Sequence, residues 1–339
     1  MRYGAIPCDQ NETDLKGKGE LGASLGHSKI VSASPPLVHL IHDDALNGLA
    51  QVPDGGVSLI VTSPPYNIGK EYERDQKMSL DQYIEWLKPI AKTLCDKLDE
   101  KGSLCWQTGN FVNNGEVFPL DVFFYNIFTD LGMKLRNRII WRFNFGLHAA
   151  KRFSGRYETL LWFTKSDNYV FNLDPIRVPQ LYPGKKHSSS KGLEKAGKYS
   201  GNPKGKNPSD YWTFSAPEVF FDDPVWDIPN VKANHPEKTI HPCQFPHELV
   251  ERCILAFTKP GDLVLDPFLG AGTTAIAAVK AERSVVGIDK DPTCIEIAHQ
   301  RIAALMLGEL QIRPSGLAVR KPKSSESVAK IPDCWAEEK

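Results

Sequence analysis

Leu263-Val-Leu-Asp-Pro-Phe-Leu-Gly-Ala-Gly-Thr-Thr-Ala275, continued by Ser284-Val-Val-Gly-Ile-Asp289, reads as strand, glycine loop, helix, strand. Leu263 to Leu265 is a short apolar run of the kind buried in a parallel sheet. Asp266-Pro267 ends it, because the residue before a proline is pushed out of the α region. Gly270 and Gly272 let the backbone turn tightly and approach a ligand. Thr273 opens a helix that buries Ile276, Ala277 and Val279. The strand from Ser284 to Ile288 then ends in Asp289, an acid suited to accept from the hydroxyls of a ribose.

Gly270-x-Gly272-x-x-Ala275 also fits the fingerprint of a dinucleotide fold, and a tight turn with no ligand would look the same. The layout argues against a nicotinamide cofactor. A dinucleotide fold begins with this unit and needs further strands and helices after it. Here one helix follows, Pro292 to about Leu307, before the chain turns polar. The remaining strands must precede the glycine loop, so the expected fold is an α/β sheet circularly permuted relative to an ordinary nucleotide fold.

The composition of the 339 residues, 41% hydrophobic and 24% charged, is that of a globular protein. Lys+Arg and Asp+Glu both total 41, so any contact with nucleic acid has to come from a local patch. Seven cysteines without a Cys-x-x-Cys pair suggest reduced thiols and a cytoplasmic location. No secretory signal or membrane span is expected. His235, His241, Cys243 and His247 match no metal-ligand spacing, and no metal is expected.

The chain divides into a polar arm (1–36), a first part of a catalytic core (37–164), a lysine-rich region (165–235), a second part of the core (236–307) and a flexible tail (308–339). Val38 to Ile41 reads as a strand that leads into Asp43-Asp44. An acid there points into the crevice at the sheet's C-terminal edge, or caps the following helix. Val57 to Thr62 is the next strand and runs into Ser63-Pro64-Pro65-Tyr66. The prolines hold rigidly aimed carbonyl acceptors, Ser63 adds a hydroxyl and Tyr66 a flat ring. A plain Pro-Pro turn with a surface tyrosine would have the same sequence. Ser79 starts an amphipathic helix that Pro89 should kink. Gly102–Thr108, Arg138–Trp141 and Tyr157–Thr164 are further strands, with a helix around Leu120 to Leu131. The loop between the last two strands carries Arg142, His148, Lys151, Arg152 and Arg156. Between Tyr182 and Trp212 seven lysines face only Glu194 and Asp210, with Tyr199, Tyr211 and Trp212 interleaved. Lysines suit phosphates and aromatics suit bases, although such runs also occur as solvated loops.

The Asp-Pro-Phe-x-Gly-x-Gly-Thr-Thr loop, with Ser63-Pro-Pro-Tyr66 upstream and His241-Pro-Cys-Gln-Phe-Pro246 before it, resembles the amino-methyltransferases of DNA in their beta arrangement. The resemblance covers about Val38 to Leu307. It implies a seven-stranded, Rossmann-like methyltransferase sheet, an inserted target-recognition region at about Lys165 to His235, and S-adenosyl-L-methionine as methyl donor. By the same resemblance Asp266, Phe268, Gly270, Gly272 and Thr273 line the cofactor. Asp289 holds its ribose and Asp44 its adenine amine, while Ser63, Pro64, Pro65 and Tyr66 form the catalytic motif. The implied partner is double-stranded DNA, with a cognate restriction endonuclease in a restriction-modification system, and the chain acts as a monomer or dimer.

An exocyclic amine is a poor nucleophile because its lone pair is delocalised into the ring. The Ser63 hydroxyl and Pro64 carbonyl can accept from the NH₂ and favour a tetrahedral nitrogen, stabilising the positive charge that develops. The base must first leave the duplex, and Tyr66 is its stacking partner. No cysteine follows the Pro-Pro step, which disfavours methylation of a ring carbon. Ser63 points to N4 of cytosine, with N6 of adenine as the alternative. RNA or protein-glutamine methylation and a nicotinamide-dependent dehydrogenase are more distant readings.

Overall fold

The inner strands of the sheet carry apolar runs whose side chains alternate between two faces. In the computed structural model, which describes residues 35–67, 78–143, 148–180, 182–188, 194–212, 231, 235–240 and 244–314, β1 (Val38–His42), β2 (Val57–Thr62), β3 (Leu98–Thr108), β6 (Lys134–Arg142), β7 (Tyr157–Thr164), β8 (Tyr211–Trp212), β9 (Leu263–Asp266) and β10 (Ser284–Asp289) form one sheet in the order β1-β10-β9-β2-β3-β7-β6-β8. The first five strands in that order run parallel, and β7 is antiparallel to both β3 and β6. The expected seven strands are all present, and the two-residue β8 adds an eighth beside β6. The described residues fall in one compact unit, Pro35–Lys339. The expected polar arm lies outside the described residues up to position 34, as does the expected tail from 315.

Helices cover both faces. Leu87, Ile90 and Leu94 of α2 (Leu80–Lys97) and Phe124 and Phe128 of α3 (Leu120–Asp130) pack with Ile60, Leu104, Trp106, Phe163 and Leu265. On the other face Leu249, Cys253 and Phe257 of α4 (His247–Phe257), Ala275 and Ala278 of α5 (Thr273–Lys280) and Ala298 of α6 (Pro292–Met306) meet Leu59, Val61, Cys105, Trp162, Val264 and Val285. Ile60 thus faces one layer while Leu59 and Val61 face the other. Ser79 and Gln82 start α2 with a reciprocal capping box, and the helix continues through Pro89 as far as Lys97.

A hairpin, β4 (Asn110–Asn113) with β5 (Glu116–Pro119), was not expected. Its turn residues Asn114 and Gly115 have φ of 48° and 86°, the left-handed pair that an Asn-Gly step supplies. The lysine-rich region also begins differently from expectation. Tyr169 and Phe171 pack on Trp162, and Asn172 donates to the carbonyls of Leu255 and Thr258 at the end of α4, so the first dozen residues after Lys165 belong to the core.

The short α1 (Ala45–Leu49) lies close against β10: a Cβ added at Gly48 would sit 2.5 Å from Ile288 Cγ2. Helix propensity alone would favour Gly48→Ala by about 1 kcal/mol. Overpacking against buried Ile288 should reverse the sign and cost about 1–3 kcal/mol, readable as a lower denaturation midpoint in urea.

Candidate functional site

The residues singled out in the sequence gather at one edge of the sheet, because each follows the C-terminal end of a parallel strand. Asp43 and Asp44 follow β1, Asp289 ends β10, Asp266 ends β9, and Thr62 leads β2 into Ser63. Open parallel sheets bind ligands along this edge.

Asp266 lies fully buried beneath the glycine loop. Its carboxylate accepts from Thr62 Oγ1 at 2.7 Å, from Thr274 Oγ1 at 2.6 Å and from the Phe268 N–H at 3.1 Å. Burial pushes its pKa up to about 6, with the neighbouring Asp289 charge adding to the rise, while these three donors oppose it. The carboxylate is spent on holding β2, β9 and α5 together, so it shapes the loop from below. Neither Thr62 nor Thr274 stood out in the sequence.

The loop turns on Gly270 (φ 53°) and Gly272 (φ 77°). The Gly270 N–H donates to Asp289 Oδ2 at 2.7 Å, and the Asp291 N–H to Asp289 Oδ1 at 2.9 Å. Half-buried Asp289 thus ties the glycine loop to the end of β10. A Cβ on Gly272 would meet Ala298 Cβ at 2.7 Å. Its missing side chain therefore lets α6 approach, a reason the sequence did not disclose. Thr273 is buried with its hydroxyl 3.5 Å from Arg301, which also donates to the Ala271 carbonyl at 2.5 Å. Phe268 is half-buried against Trp86 and Trp106, with ring centroids 6.0 and 6.5 Å away. Asp44 is exposed and caps α1, accepting from the Asn47 N–H at 3.0 Å. Asp43 accepts from the Asp44 N–H at 2.8 Å and the Asn47 amide at 3.1 Å.

In the upstream motif Ser63 Oγ and Tyr66 Oη lie 3.0 Å apart. The Tyr66 ring lies across Gly109, where a Cβ would come within 3.2 Å of it. Tyr83, from α2, donates to the Pro65 carbonyl at 2.6 Å and so holds that carbonyl rather than the one of Pro64. Asn67, with φ 55°, is tied to Met78 by two hydrogen bonds of 2.8 and 3.3 Å. Two further polar groups reach the motif from β3 and β7. Tyr66 donates to Glu158 Oε2 at 3.4 Å, and Gln107 Nε2 donates to the same oxygen at 2.6 Å.

In the lysine-rich region Lys185, Lys186, Lys195, Lys198 and Lys204 are exposed, with Lys186 Nζ 5.4 Å over the Tyr199 ring and Lys204 paired to Asp174 at 2.5 Å. Trp212 is buried and stacks under the Arg252 guanidinium at 4.4 Å, which anchors β8 to α4. His148, Lys151, Arg152 and Phe153 are exposed between β6 and β7. Of the four residues weighed for a metal, His241 and Cys243 lie outside the described residues, as does the 241–243 part of the extended segment before α4. Among the described residues no group of three or more His, Cys, Asp or Glu could hold a metal ion, and no helix is long and apolar enough to cross a membrane.

The sequence model of the N6_N4_Mtase family, described as DNA methylase, matches residues 57–300. The chain is 45% identical over 274 residues to the type II methyltransferase M.BglII of Bacillus subtilis, an alignment covering 80% of this chain and 71% of that one. It is 32% identical over 297 residues to the DNA adenine methyltransferase YhdJ of Escherichia coli (strain K12), covering 85% and 92%. Among solved structures, PvuII DNA methyltransferase (cytosine-N4-specific) is similar with a TM-score of 0.56 at 19% identity, over 78% of this chain and 86% of that one, a likeness of fold.

The Asp266 carboxyl binds its proton more tightly in the folded chain, so its titration contributes stability that is full below the ordinary value of 3.8 and is lost as pH rises through about 6. Asp266→Asn keeps an acceptor for Thr62 and Phe268 and can donate to Thr274. The stability of the wild type relative to Asp266→Asn should therefore fall between pH 4 and pH 8, by up to about 3 kcal/mol. Asp266→Ala strands three donors and should cost at least about 3 kcal/mol at either pH. Urea unfolding of the three proteins across that range checks both expectations.

Proposed function

This chain belongs to the DNA methylase family of N6 and N4 enzymes, and on that premise we propose that it moves a methyl group from S-adenosyl-L-methionine to the N4 amine of a cytosine flipped out of duplex DNA. DNA amino-methylation is the family's activity, and restriction-modification methylases are among the chain's relatives. One observation carries the reading for this chain. The glycine loop and the Ser63–Tyr66 motif sit at the ends of neighbouring strands β9 and β2, tied by the 2.7 Å bond between Thr62 and Asp266. A donor site and an acceptor site are thereby held side by side.

The residues present suit the cofactor. Asp289 and Asp44 offer carboxylate acceptors at the ends of β10 and β1, matched to ribose hydroxyls and an adenine amine. The turn at Gly270 and Gly272 and the half-buried Phe268 ring line the space between β9 and α5. When bound, S-adenosyl-L-methionine supplies a methyl already activated by its sulfonium, so positioning accounts for much of the acceleration. The Ser63 hydroxyl and Pro64 carbonyl accept from the target NH₂ and steady the charge that develops on nitrogen. Pro65 stays with Tyr83, which holds the motif's shape. The Tyr66 ring stacks on the flipped base, with its hydroxyl anchored at the far end.

Within the expected region of Lys165 to His235, the part after about residue 177 acts as the target-recognition insert of a circularly permuted sheet, and its exposed lysines contact DNA phosphates. Ser63 in place of an acid favours N4 of cytosine, because a carboxylate is the stronger acceptor and can take a proton itself. N6 of adenine is the second reading, favoured by the name of the Escherichia coli relative. A cognate restriction endonuclease is the natural partner in such a system.

Digestion of DNA methylated in vitro, followed by mass spectrometry of the nucleosides, should give N4-methylcytosine, and N6-methyladenine as sole product would replace the first reading by the second. Changing Lys185, Lys186, Lys195 and Lys198 to Gln should weaken DNA binding and flatten the plot of log K against log salt by about 0.9 for each phosphate no longer neutralised. An unchanged slope would make this stretch a solvated loop.

A further inference from the structure

The Ser63–Tyr66 motif does not stand alone. Glu158, at the start of β7, reaches across the end of β3 to the Tyr66 hydroxyl at 3.4 Å. Gln107 of β3, almost fully buried, clamps the same Glu158 oxygen from the other side at 2.6 Å. The Gln107 amide must turn its NH₂ toward the carboxylate, because the reverse orientation would set a carbonyl against a negative oxygen. That orientation leaves Gln107 Oε1 buried with no hydrogen-bond partner among the described residues. An unpaired buried acceptor costs about 1–3 kcal/mol. The chain carries this cost directly beneath the motif, which marks the pair as kept for more than packing.

With the Ser63–Tyr66 and Tyr66–Glu158 contacts both made as hydrogen bonds, the donor and acceptor roles along this row are fixed. The Tyr66 hydroxyl donates its single proton to the Glu158 carboxyl oxygen across 3.4 Å. The Tyr66 oxygen is then the acceptor in its 3.0 Å contact with Ser63. Ser63 therefore gives its proton to Tyr66 and presents its lone pairs outward. Without the carboxylate Tyr66 could donate to Ser63 instead. The Ser63 proton would then be turned toward the substrate NH₂, a donor facing a donor.

Resting on the function proposed above, we infer that Glu158 is a positioning residue for methyl transfer. By drawing the Tyr66 proton it sets Ser63 as the acceptor that the target amine requires. Glu158 touches neither substrate nor cofactor in this scheme and works through two hydroxyl groups. Gln107 holds it in place.

A double-mutant cycle isolates this role from a merely structural one. Single-turnover transfer of tritiated methyl to saturating duplex DNA is measured for the wild type, Glu158→Ala, Tyr66→Phe and the double variant, with cofactor affinity from calorimetry as the control of folding. Tyr66→Phe keeps the stacking ring and removes only the hydroxyl. Each single change should slow transfer about tenfold with little change in the DNA concentration needed for saturation, and the double variant should be no slower than the slower single. If the two losses multiply, Glu158 acts elsewhere and the inference fails. Wild-type transfer in Glu158→Ala overturns it as well. Should Glu158→Ala lose cofactor binding, Glu158→Met, which keeps much of the side chain's bulk but offers Tyr66 no oxygen acceptor, takes its place in the cycle, with the same outcomes deciding. A wild-type protein that methylates no DNA would instead overturn the proposed function, and the inference with it.

Discussion

A buried carboxylate with three donors holds this molecule's working edge together. Thr62 and Asp266 are 204 residues apart in sequence, yet one hydrogen bond joins the strand that leads to Ser63 with the strand that leads to the glycine loop. Thr274 and the Phe268 N–H complete the set, so the same side chain also seats α5 and the turn before it. Burying a charge is unfavourable unless it is hydrogen-bonded, and here each bond fixes a different segment. The register of β2 on β9 brings the two segments alongside, with Leu59 and Ile60 opposite Val264 and Leu265. The Thr62–Asp266 bond then sets the far ends of the strands to within a hydroxyl's reach.

A second layer of contacts sets the Ser63–Tyr66 motif. Tyr83 takes the Pro65 carbonyl, Asn67 is pinned to Met78, and the Tyr66 ring needs the bare backbone of Gly109 beneath it. These partners come from α2, from the segment just before it and from the end of β3. The Ser63–Tyr66 turn is thus held from the α2 face of the sheet and from the end of β3. At the other end of the sheet Trp212 under Arg252 keeps the lysine-rich segment attached to α4, the helix packed beneath β2 and β3.

Most of the sheet could be read from the chain because its strands are short apolar runs bounded by prolines, glycines or acids. Val57–Thr62, Tyr157–Thr164 and Ser284–Asp289 end where those boundaries fall. The β4–β5 hairpin also carried a signal, Asn114-Gly115, that went unused, whereas two-residue β8 has too little pattern to register. Site residues at the ends of strands were legible for the same reason as the strands. Glu158 and Gln107 were not, because nothing in a single sequence says that a residue at the start of β7 will meet a hydroxyl 92 positions earlier. Asp44 could be read as ligand or cap, and the structure shows the capping bond. Gly272 was noticed for the right backbone conformation, while its tight approach to Ala298 depends on how α6 packs.

The order of strands along the chain has a consequence for synthesis. During translation β1 and β2 emerge long before β10 and β9, the strands that pair with their edges. Until roughly the last fifth of the sequence has left the ribosome, the Ser63–Tyr66 motif sits on a half-built sheet with unpaired backbone groups along one side. Such edges invite aggregation until β9 and β10 cover them. A ribosome that stops early releases a product carrying Ser63 and Tyr66 and no glycine loop. The two sides of the edge joined by the Thr62–Asp266 bond are therefore present together only in chains translated past β9.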